Sequence, residues 1–323
     1  MYHYKELYNI INCEIEKINF SKTPHNLYEP IVYSLKVGGK RIRPILCLMA
    51  SELFGGKIEN TINTAIGIEI FHNFTLLHDD MMDNADTRRN LPTIHVKWNK
   101  NIALLSGDAM LIIAYKYIGG YSENLEDVLN VFSETALQIC EGQQYDMDFE
   151  TSLNISEADY IKMINLKTAV LLAASLKIGA ILANASKTDC DNLSKFGQNI
   201  GIGFQLQDDL LDVYGDTVKF GKNIGGDIVS NKKTYLLIKA LELAQGTEKT
   251  ELLNWISRKE FNAEEKIAAI KKIYESLNIK GLVEKQITSY FNEACKYFDL
   301  INADTIKKES LKEFVESLKS RNY

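Results

Sequence analysis

Two clusters of aspartates in this chain share one spacing. Both read Asp-Asp-x-x-Asp, and their carboxylates belong to Asp79, Asp80 and Asp83 in the first cluster and to Asp208, Asp209 and Asp212 in the second. In a helix the first and last aspartate of each cluster lie on one face, where like charges repel by about 0.2–0.5 kcal/mol. Mg²⁺ removes this repulsion, prefers oxygen ligands, and takes one or two protein carboxylates, with water and phosphate completing its shell. The pair of clusters therefore indicates a magnesium site for a diphosphate.

A solvated helix face is the simpler explanation of one such cluster, because the chain has 43 acidic residues. The second copy weakens that explanation. Each cluster follows a strongly apolar stretch, residues 71–77 before the first and residues 200–206 before the second. Solvated faces do not usually lie in such stretches. We therefore favour the metal site.

A basic turn near the N-terminus could bind an anion. Gly38 and Gly39 free the backbone, Lys40 and Arg43 supply charge, and Pro44 suits the first turn of a following helix. The N-terminus of that helix would itself attract anions. Alone, the turn could equally be a basic surface loop.

Further cations follow each acidic cluster. Arg88 and Arg89 come soon after the first, and a guanidinium pairs with phosphate in a planar fork. Lys167 precedes the second cluster, while Lys222 and Lys232 follow it. Any one of these lysines is more simply a solvent-facing residue. As a set around two carboxylate clusters, the cations suit two diphosphate groups.

His72 lies about two helical turns before Asp79. A lone histidine in an apolar helix is usually a satisfied core residue. Because a metal cluster follows on the same predicted helix, a phosphate-binding role is the alternative.

Helices must position these residues. All four prolines lie within the first 92 residues, so nothing beyond forces a helix to break. Strand-type alternation with Asn-Gly or Asp-Gly turns is absent. Long apolar or periodic stretches predict helices over residues 102–117, 125–139, 169–184 and 232–244. The predicted fold class is all-α.

Composition narrows the class of protein further. The 323 residues are 46% hydrophobic, and the net charge of −6 argues against nucleic-acid binding. No run of 18 uncharged apolar residues predicts a transmembrane segment, and residues 1–6 lack the apolar core of a signal peptide. Five scattered cysteines are interpreted as buried reduced thiols, so we expect a cytoplasmic protein.

No linker divides the chain, and we expect one domain over residues 1–323. The chemistry-bearing motifs occupy residues 35–240. Residues 215–231 are predicted to form an ordered loop, and residues 247–323 to form peripheral helices.

The ordered series of motifs resembles the trans-isoprenyl diphosphate synthases, the head-to-tail polyprenyl synthetases. The resemblance covers roughly residues 35–240. It rests on Gly38-Gly39-Lys40-Arg41-x-Arg43-Pro44, His72, the two aspartate clusters, Arg88-Arg89, Lys167-Thr168, Phe204-Gln205, Gly221-Lys222, Asp227 and Lys232-x-Thr234.

The resemblance implies an isoprenoid synthase fold of roughly 10–13 helices around a deep central cavity, three Mg²⁺ ions and a homodimer. It implies a short-chain prenyltransferase that condenses isopentenyl diphosphate with an allylic diphosphate such as dimethylallyl, geranyl or farnesyl diphosphate. The reaction would proceed by ionisation, condensation and elimination, without a protein nucleophile.

The resemblance also implies residue roles. Asp79, Asp83 and Asp208 would be the main metal ligands, supported by Asp80, Asp209 and Asp212. Arg88, Lys167, Lys222 and Lys232 would hold the allylic diphosphate, and Lys40, Arg43, His72 and Arg89 would hold isopentenyl diphosphate. Thr168 and Gln205 would place oxygens near the developing carbocation.

Product length should be set on the helix that carries the first cluster. Phe74 and Thr75, five and four residues before Asp79, are similar to the archaeal geranylgeranyl pattern, so we expect a C20 product first and C15 second. Alternatively Phe74 is a core residue, and Leu111 or Tyr115 on another helix sets the floor.

Two departures from the family pattern leave the charged positions intact. Asn90 replaces a usual glycine, and asparagine tolerates left-handed geometry. Leu236 stands where many members have proline. Two rival interpretations remain: a class I terpene cyclase, which would normally lack the second Asp-Asp-x-x-Asp cluster, and a non-catalytic subunit of a heteromeric synthase, which would usually lose motif residues.

Overall fold

The computed structural model describes residues 2–120, 124–152, 154–215 and 224–319. These residues form sixteen α-helices, one π-helical segment and one two-stranded hairpin. The helices are α1 (Tyr4–Glu16), α2 (His25–Lys36), α3 (Ile42–Leu53), α4 (Ile58–Met82), α5 (Ile94–Lys97), α6 (Lys100–Ile118), α7 (Leu125–Thr151), α8 (Glu157–Ile164), α9 (Val170–Leu182), α10 (Lys187–Tyr214), α11 (Gly226–Val229), α12 (Tyr235–Leu243), α13 (Gly246–Ser257), α14 (Ala263–Ser276), α15 (Ile279–Asp299) and α16 (Thr305–Lys319). The all-α prediction is confirmed, and the described residues contain more helices than the expected 10–13, two of them single-turn helices.

The chain forms two compact units. The first comprises Met1–Glu134, Ala174–Ser194 and Ile301–Glu316, and the second comprises Thr135–Ala173, Lys195–Leu300 and Ser317–Tyr323. Each unit therefore draws on separate parts of the sequence. The expectation of a single domain stays a prediction.

Helix α4 lies at the core of the first unit and packs against α3 and α6. Residues 65–71 are buried without interruption, and all of them except Glu69 are apolar, as expected for a helix enclosed on every face. The predicted first-turn proline is found in α3, where Pro44 lies two residues after the start. These contacts fix the end of α4 that carries the first acidic cluster.

A small hairpin follows that cluster. Thr87–Arg88 pairs antiparallel with Leu91–Pro92, and the two turn residues Arg89 and Asn90 have φ of 53° and 62°. Two consecutive positive φ values are what a type I′ hairpin turn requires. The hairpin was not predicted, because the chain has no glycine at this turn. The prediction that Asn90 tolerates left-handed geometry is confirmed.

The second unit contains the second acidic cluster, near the end of α10. Helices α8, α12, α14 and α15 pack around one another, with α12 in contact with the other three. Residues Asn165–Ala169, between α8 and α9, form the π-helical segment. The helix predicted over residues 169–184 therefore continues a longer helical run that begins before it.

Among the residues that the structure describes, two helical stretches are long and apolar enough to cross a membrane, judged by length and composition alone. They are Lys100–Ile118 and Glu157–Leu182, and 67% of the most apolar window of the second is buried within the protein. Core helices of globular proteins meet the same criterion.

The expectation that all five cysteines are buried is wrong for three of them. Cys47 and Cys190 are buried free thiols, whereas Cys13, Cys140 and Cys295 are exposed. All three exposed thiols lie on helices with one solvent-facing side, so their burial could not be judged from scattered positions alone.

Candidate active site

The first acidic cluster binds an arginine of the hairpin. Arg88 Nε donates to both oxygens of Asp80, at 2.7 and 2.8 Å, and its Nη2 lies 3.2 Å from Asp79 Oδ2. Asp80 is only 6% exposed. Burial raises the pKa of Asp80 to about 6, and the charge of Arg88 opposes this shift. Asp83, at the end of α4, is exposed. The cluster thus has a buried, neutralised end and an open end.

The basic turn and His72 meet as predicted. Arg43 Nη1 lies 3.0 Å from His72 Nε2. Because a guanidinium only donates, His72 accepts through Nε2 and must be neutral. Burial, followed by the charges of Arg43 and Arg89, holds the pKa of His72 well below 6.5. Arg43 Nε is buried without a hydrogen-bond partner among the described residues. This arrangement leaves donors available for an anion.

Arg89 joins the same group through Gly39. A Cβ added to Gly39 would lie 2.8 Å from Arg89 Nη1 and Nη2, and Gly39 has φ of 147°. The guanidinium therefore packs on bare backbone that only glycine provides. Burial lowers the pKa of Arg43 to about 10; the carboxylate of Glu69 opposes this shift, and the charge of Arg89 adds to it. Like charges held this close favour a bound anion. Lys40 is exposed beside them.

A buried ion pair that sequence analysis missed holds the basic turn. Arg41 is 4% exposed, has φ of 50°, and places Nη1 at 2.6 Å from Glu69 Oε1. It also donates to Leu35 O at 2.8 Å and to Asn12 Oδ1 at 3.1 Å. A charge this deep must be paired and hydrogen-bonded. Arg41 therefore fixes the turn that carries Lys40 and Arg43.

An open cleft lies beside the hairpin in the first unit. Asp80, Arg88 and Arg89 line it together with residues of α2 and α4. Tyr33 Oη donates to Pro92 O at 2.8 Å, which ties the hairpin to α2. The hairpin arginines are thus held at a defined opening.

The two candidate floors for product length belong to one aromatic cluster. The ring of Phe74 lies 5.5 Å from Phe71, Phe71 lies 4.9 Å from Phe132, and Tyr115 lies 4.9 Å from Phe132. Thr75 Oγ1 donates to His72 O at 2.8 Å, so the hydroxyl is used within its own helix. Phe74 and Tyr115 are therefore two parts of the same wall.

The second acidic cluster is supported by three neutral side chains. Asp209 is 3% exposed and accepts hydrogen bonds from Tyr160 Oη and, at 3.1 Å, from Gln205 Nε2. Thr168 Oγ1 donates to Gln205 Oε1 at 3.1 Å. Burial raises the pKa of Asp209 to about 7, and the hydrogen bond from Tyr160 opposes this. The structure thus brings the predicted Thr168 and Gln205 to the acidic cluster, with Asp208 exposed beside them.

Two further partners in the second unit were not predicted. Lys167 Nζ lies 2.6 Å from Asp146 Oδ2, which lies on α7. Asp212 Oδ2 accepts from the backbone N of Asp227 at 3.0 Å, and Asp212 O accepts from Gly225 N at 2.7 Å. Lys232 is exposed, and its charge lowers the pKa of Asp209. Lys222 lies outside the described residues.

The carboxylates fit Mg²⁺ by the chemistry of their oxygen donors. Within the described ranges, no three acidic, imidazole or thiol side chains converge into a closed metal site. Mg²⁺ does not need one, because it binds through one or two carboxylates with phosphate and water. Asp83 and Asp208 are exposed, whereas Asp80 and Asp209 are buried on protein partners. Asp79 and Asp212 are both half-buried, so exposure alone does not separate the predicted ligands from the predicted supports.

Comparison with known proteins agrees with the motifs. The polyprenyl synthetase family model matches residues 24–276. A geranylgeranyl diphosphate synthase of Methanosarcina mazei is 35% identical over 97% of this chain and 95% of its own length. A geranylfarnesyl diphosphate synthase of Aeropyrum pernix is 38% identical over 72% of this chain and 76% of its own length.

Solved structures give the same result. A crystal structure of a geranylgeranyl pyrophosphate synthase is 40% identical and superposes with a TM-score of 0.94, with both chains covered completely. The family predicted from the ordered motifs and the predicted isoprenoid synthase fold are thereby confirmed. This chain belongs to the polyprenyl synthetase family.

Proposed function

We propose that the protein is a magnesium-dependent prenyltransferase that joins isopentenyl diphosphate head to tail to an allylic diphosphate. The observation that carries the proposal is the contrast between its charged groups. Two carboxylate clusters each keep an exposed aspartate, Asp83 or Asp208, while Arg43, His72 and Arg89 form a separate cationic group. The allylic diphosphate needs metal ions on its diphosphate, whereas isopentenyl diphosphate needs only basic side chains.

The exposed aspartates would hold the metals. We assign Asp79, Asp83 and Asp208 as ligands of three Mg²⁺ ions, with Asp80, Asp209 and Asp212 as supports. When bound, Mg²⁺ neutralises the charge that grows on the leaving diphosphate as the allylic C–O bond ionises. The buried supports limit the movement of each cluster, because Asp80 is fixed by Arg88 and Asp209 by Tyr160 and Gln205.

Cations would complete the allylic site. We assign Arg88, Lys167, Lys222 and Lys232 to the allylic diphosphate. Arg88 and Lys167 are each paired with a carboxylate, Asp80 and Asp146 respectively. A diphosphate would share these cations with the carboxylates, and this keeps the cations oriented before substrate binds.

The second diphosphate would bind at the cationic group of the first unit. We assign Lys40, Arg43, His72 and Arg89 to isopentenyl diphosphate. Neutral His72 can donate through Nδ1 when Nε2 accepts from Arg43. Bringing the two substrates together in a fixed orientation lowers the entropic barrier to carbon–carbon bond formation.

Two side-chain oxygens would face the carbocation. Thr168 donates to Gln205, and Gln205 donates onward to Asp209. Because the carboxylate of Asp209 only accepts, the amide of Gln205 is held with its Nε2 toward Asp209 and its Oε1 toward Thr168. The orientation of both side-chain oxygens is therefore fixed. Their partial negative charge would stabilise the cation until it is attacked by the double bond of isopentenyl diphosphate. A proton would then be lost to the departing diphosphate.

The product would be C20, with C15 as the second candidate. The relatives named geranylgeranyl diphosphate synthase support the first, and the geranylfarnesyl relative shows that similarity at this level includes a longer product. The aromatic cluster of Phe71, Phe74, Tyr115 and Phe132 would form the floor.

A homodimer is supported by an apolar face on α6. Leu104, Leu105 and Ile112 are 48%, 60% and 63% exposed. Such a patch on a helix of the first unit marks an interaction surface. We also propose a cytoplasmic location, which the five free cysteines support. Light scattering after size exclusion would measure the oligomeric state.

A product assay tests the activity. Purified protein would be incubated with Mg²⁺, isopentenyl diphosphate and, separately, C5, C10 or C15 allylic diphosphate, and the products sized by mass spectrometry. A C20 product is expected. A C15 or C25 product would keep the activity and move the floor. A hydrocarbon product would favour the terpene cyclase. No condensation from folded protein would favour the non-catalytic subunit.

A further inference from the structure

Helix α14 contains a fully buried lysine. Lys266 is 0% exposed, and its Nζ donates to Val229 O at 2.9 Å and to Asn231 Oδ1 at 2.7 Å. Both acceptors are neutral, and no carboxylate in the described ranges pairs with the ammonium. The ammonium also lies 4.2 Å from the centre of the Phe261 ring. Burying a cation is expensive unless it is hydrogen-bonded, so the two hydrogen bonds fix the position of Lys266 relative to Val229 and Asn231.

The next residue of α14 holds the other end of the same segment. Gly225 has φ of 84°, and a Cβ there would lie 2.7 Å from Ile267 Cδ1. Residues Gly225–Asn231 include the single-turn helix α11. Ile267 thus packs against the start of this segment, and Lys266 binds its end. Asn231 itself has φ of 56° and donates to Ile256 O at 3.1 Å.

The segment Gly225–Asn231 also contacts Asp212 of the second acidic cluster. Asp212 binds the backbone N of Asp227 through its carboxylate and that of Gly225 through its carbonyl. Lys232 follows directly after Asn231. A small cleft is lined by Asp227 and Lys232 together with Ile270 and Tyr274 of α14. The helix therefore forms one wall of the cleft that the charged residues line.

We propose that α14, through Lys266 and Ile267, positions Asp212 and Lys232 for the allylic diphosphate. Lys266 is then a positioning residue of the second acidic cluster rather than part of a peripheral helix. The inference rests on the proposed function, since it concerns the same site. The positioning role also explains why Lys266 binds carbonyl oxygens of Val229 and Asn231 rather than a carboxylate. A carboxylate partner would neutralise the charge of Lys266, but it would not fix the backbone that precedes Lys232.

A matched pair of substitutions tests the proposal. Lys266→Met removes the buried ammonium, and Lys272→Met removes an exposed one from the same helix. For Lys266→Met we expect the KM for the allylic substrate and the Mg²⁺ concentration for half-maximal rate to rise about tenfold to a hundredfold, the usual effect of losing a supporting contact. The KM for isopentenyl diphosphate should stay within about twofold, because its proposed ligands do not contact this segment. Lys272→Met should match wild type.

Two measurements that do not depend on turnover accompany the kinetics. Hydrogen exchange followed by mass spectrometry should show faster exchange in residues 224–234 of Lys266→Met only. Calorimetry with a thiodiphosphate analogue of the allylic substrate, which does not ionise, should show the same loss of affinity in the presence of Mg²⁺.

Other outcomes would overturn the inference. An equal rise in both KM values, or a loss of melting temperature with both KM values unchanged, would make Lys266 a purely structural residue. If Lys266→Met does not fold, Asn231→Gly keeps the left-handed position but removes one acceptor, and unchanged allylic KM there would also refute the proposal. If the wild-type protein is inactive, but hydrogen exchange in residues 224–234 is still faster in Lys266→Met than in wild type, the result would instead refute the proposed function.

Discussion

Gly39→Ala should weaken isopentenyl diphosphate binding by displacing Arg89. The new Cβ would lie 2.8 Å from both terminal nitrogens of Arg89, whereas ordinary contact begins at 3.4 Å, so the guanidinium must withdraw by 0.6 Å (3.4 − 2.8 Å) or more. A lost charge-assisted contact is worth about 1.5–3 kcal/mol. At about 1.4 kcal/mol per factor of ten, the KM for isopentenyl diphosphate should rise about tenfold to a hundredfold.

Gly55→Ala is the control that separates the effect of backbone strain from the displacement of Arg89. Gly55 also has a positive φ, of 82°, but a Cβ there meets nothing within 4 Å. Both substitutions should lower the free energy of unfolding by about 1–3 kcal/mol. Only Gly39→Ala should change substrate binding. Urea denaturation and calorimetry with isopentenyl diphosphate measure the two quantities.

A double-mutant cycle with Arg89→Ala completes the test. If Gly39→Ala acts through Arg89, it should add little further loss of affinity once Arg89 is absent. Additive losses, or an equal rise in the allylic KM, would refute the reasoning. The cationic group would then depend on Gly39 in some way other than the packing of Arg89.

The remaining predictions concern stability, pH and product. Arg41→Met should lower the free energy of unfolding by about 3–5 kcal/mol, since it leaves Glu69 buried and unpaired; an unchanged denaturation midpoint would contradict this. The unfolded chain binds more protons than the native one below pH 6.5, because the pKa of His72 is lowered, so stability should fall below that pH by up to about 1.4 kcal/mol per unit, and His72→Gln should remove this contribution. Asp208→Ala should lower turnover by several orders of magnitude with circular dichroism unchanged, and near-normal turnover would remove Asp208 from the metal site. Phe74→Ala should lengthen the product, and an unchanged length by mass spectrometry would place the floor elsewhere.

Features that depend on neighbouring residues were predicted from the sequence. The acidic clusters, the long helices and the place of Pro44 follow from spacing, periodicity and backbone geometry within a few residues. The meeting of Arg43 with His72 was also predicted, because the ordered motifs imply a shared ligand. The hairpin at Arg89 was missed, because its turn uses two non-glycine residues with positive φ.

Supporting partners were harder to predict. Asp146 binds Lys167, and Tyr160 binds Asp209, from positions far away in the sequence. Nothing in the local sequence of either residue distinguishes it from a solvent-facing acid or a core tyrosine. Lys266 lies in a charged amphipathic helix, where the sequence does not show which lysine turns inward. Such pairings become visible only when the packing is known.

The π-helical segment has a consequence for insertions and deletions. Tyr160 and Thr168 both contact α10, at Asp209 and Gln205. Eight residues of regular α-helix would rotate Thr168 by about 80° from Tyr160, whereas one extra residue in a wide turn reduces the mismatch to about 20°. The segment Asn165–Ala169 supplies that extra residue. Deleting Leu166 and restoring a regular helix would leave seven residues, or about 700°, between the two side chains and so keep them in phase, whereas a deletion or insertion that left the π-helical segment in place would turn one hydroxyl away from α10 by about 100°.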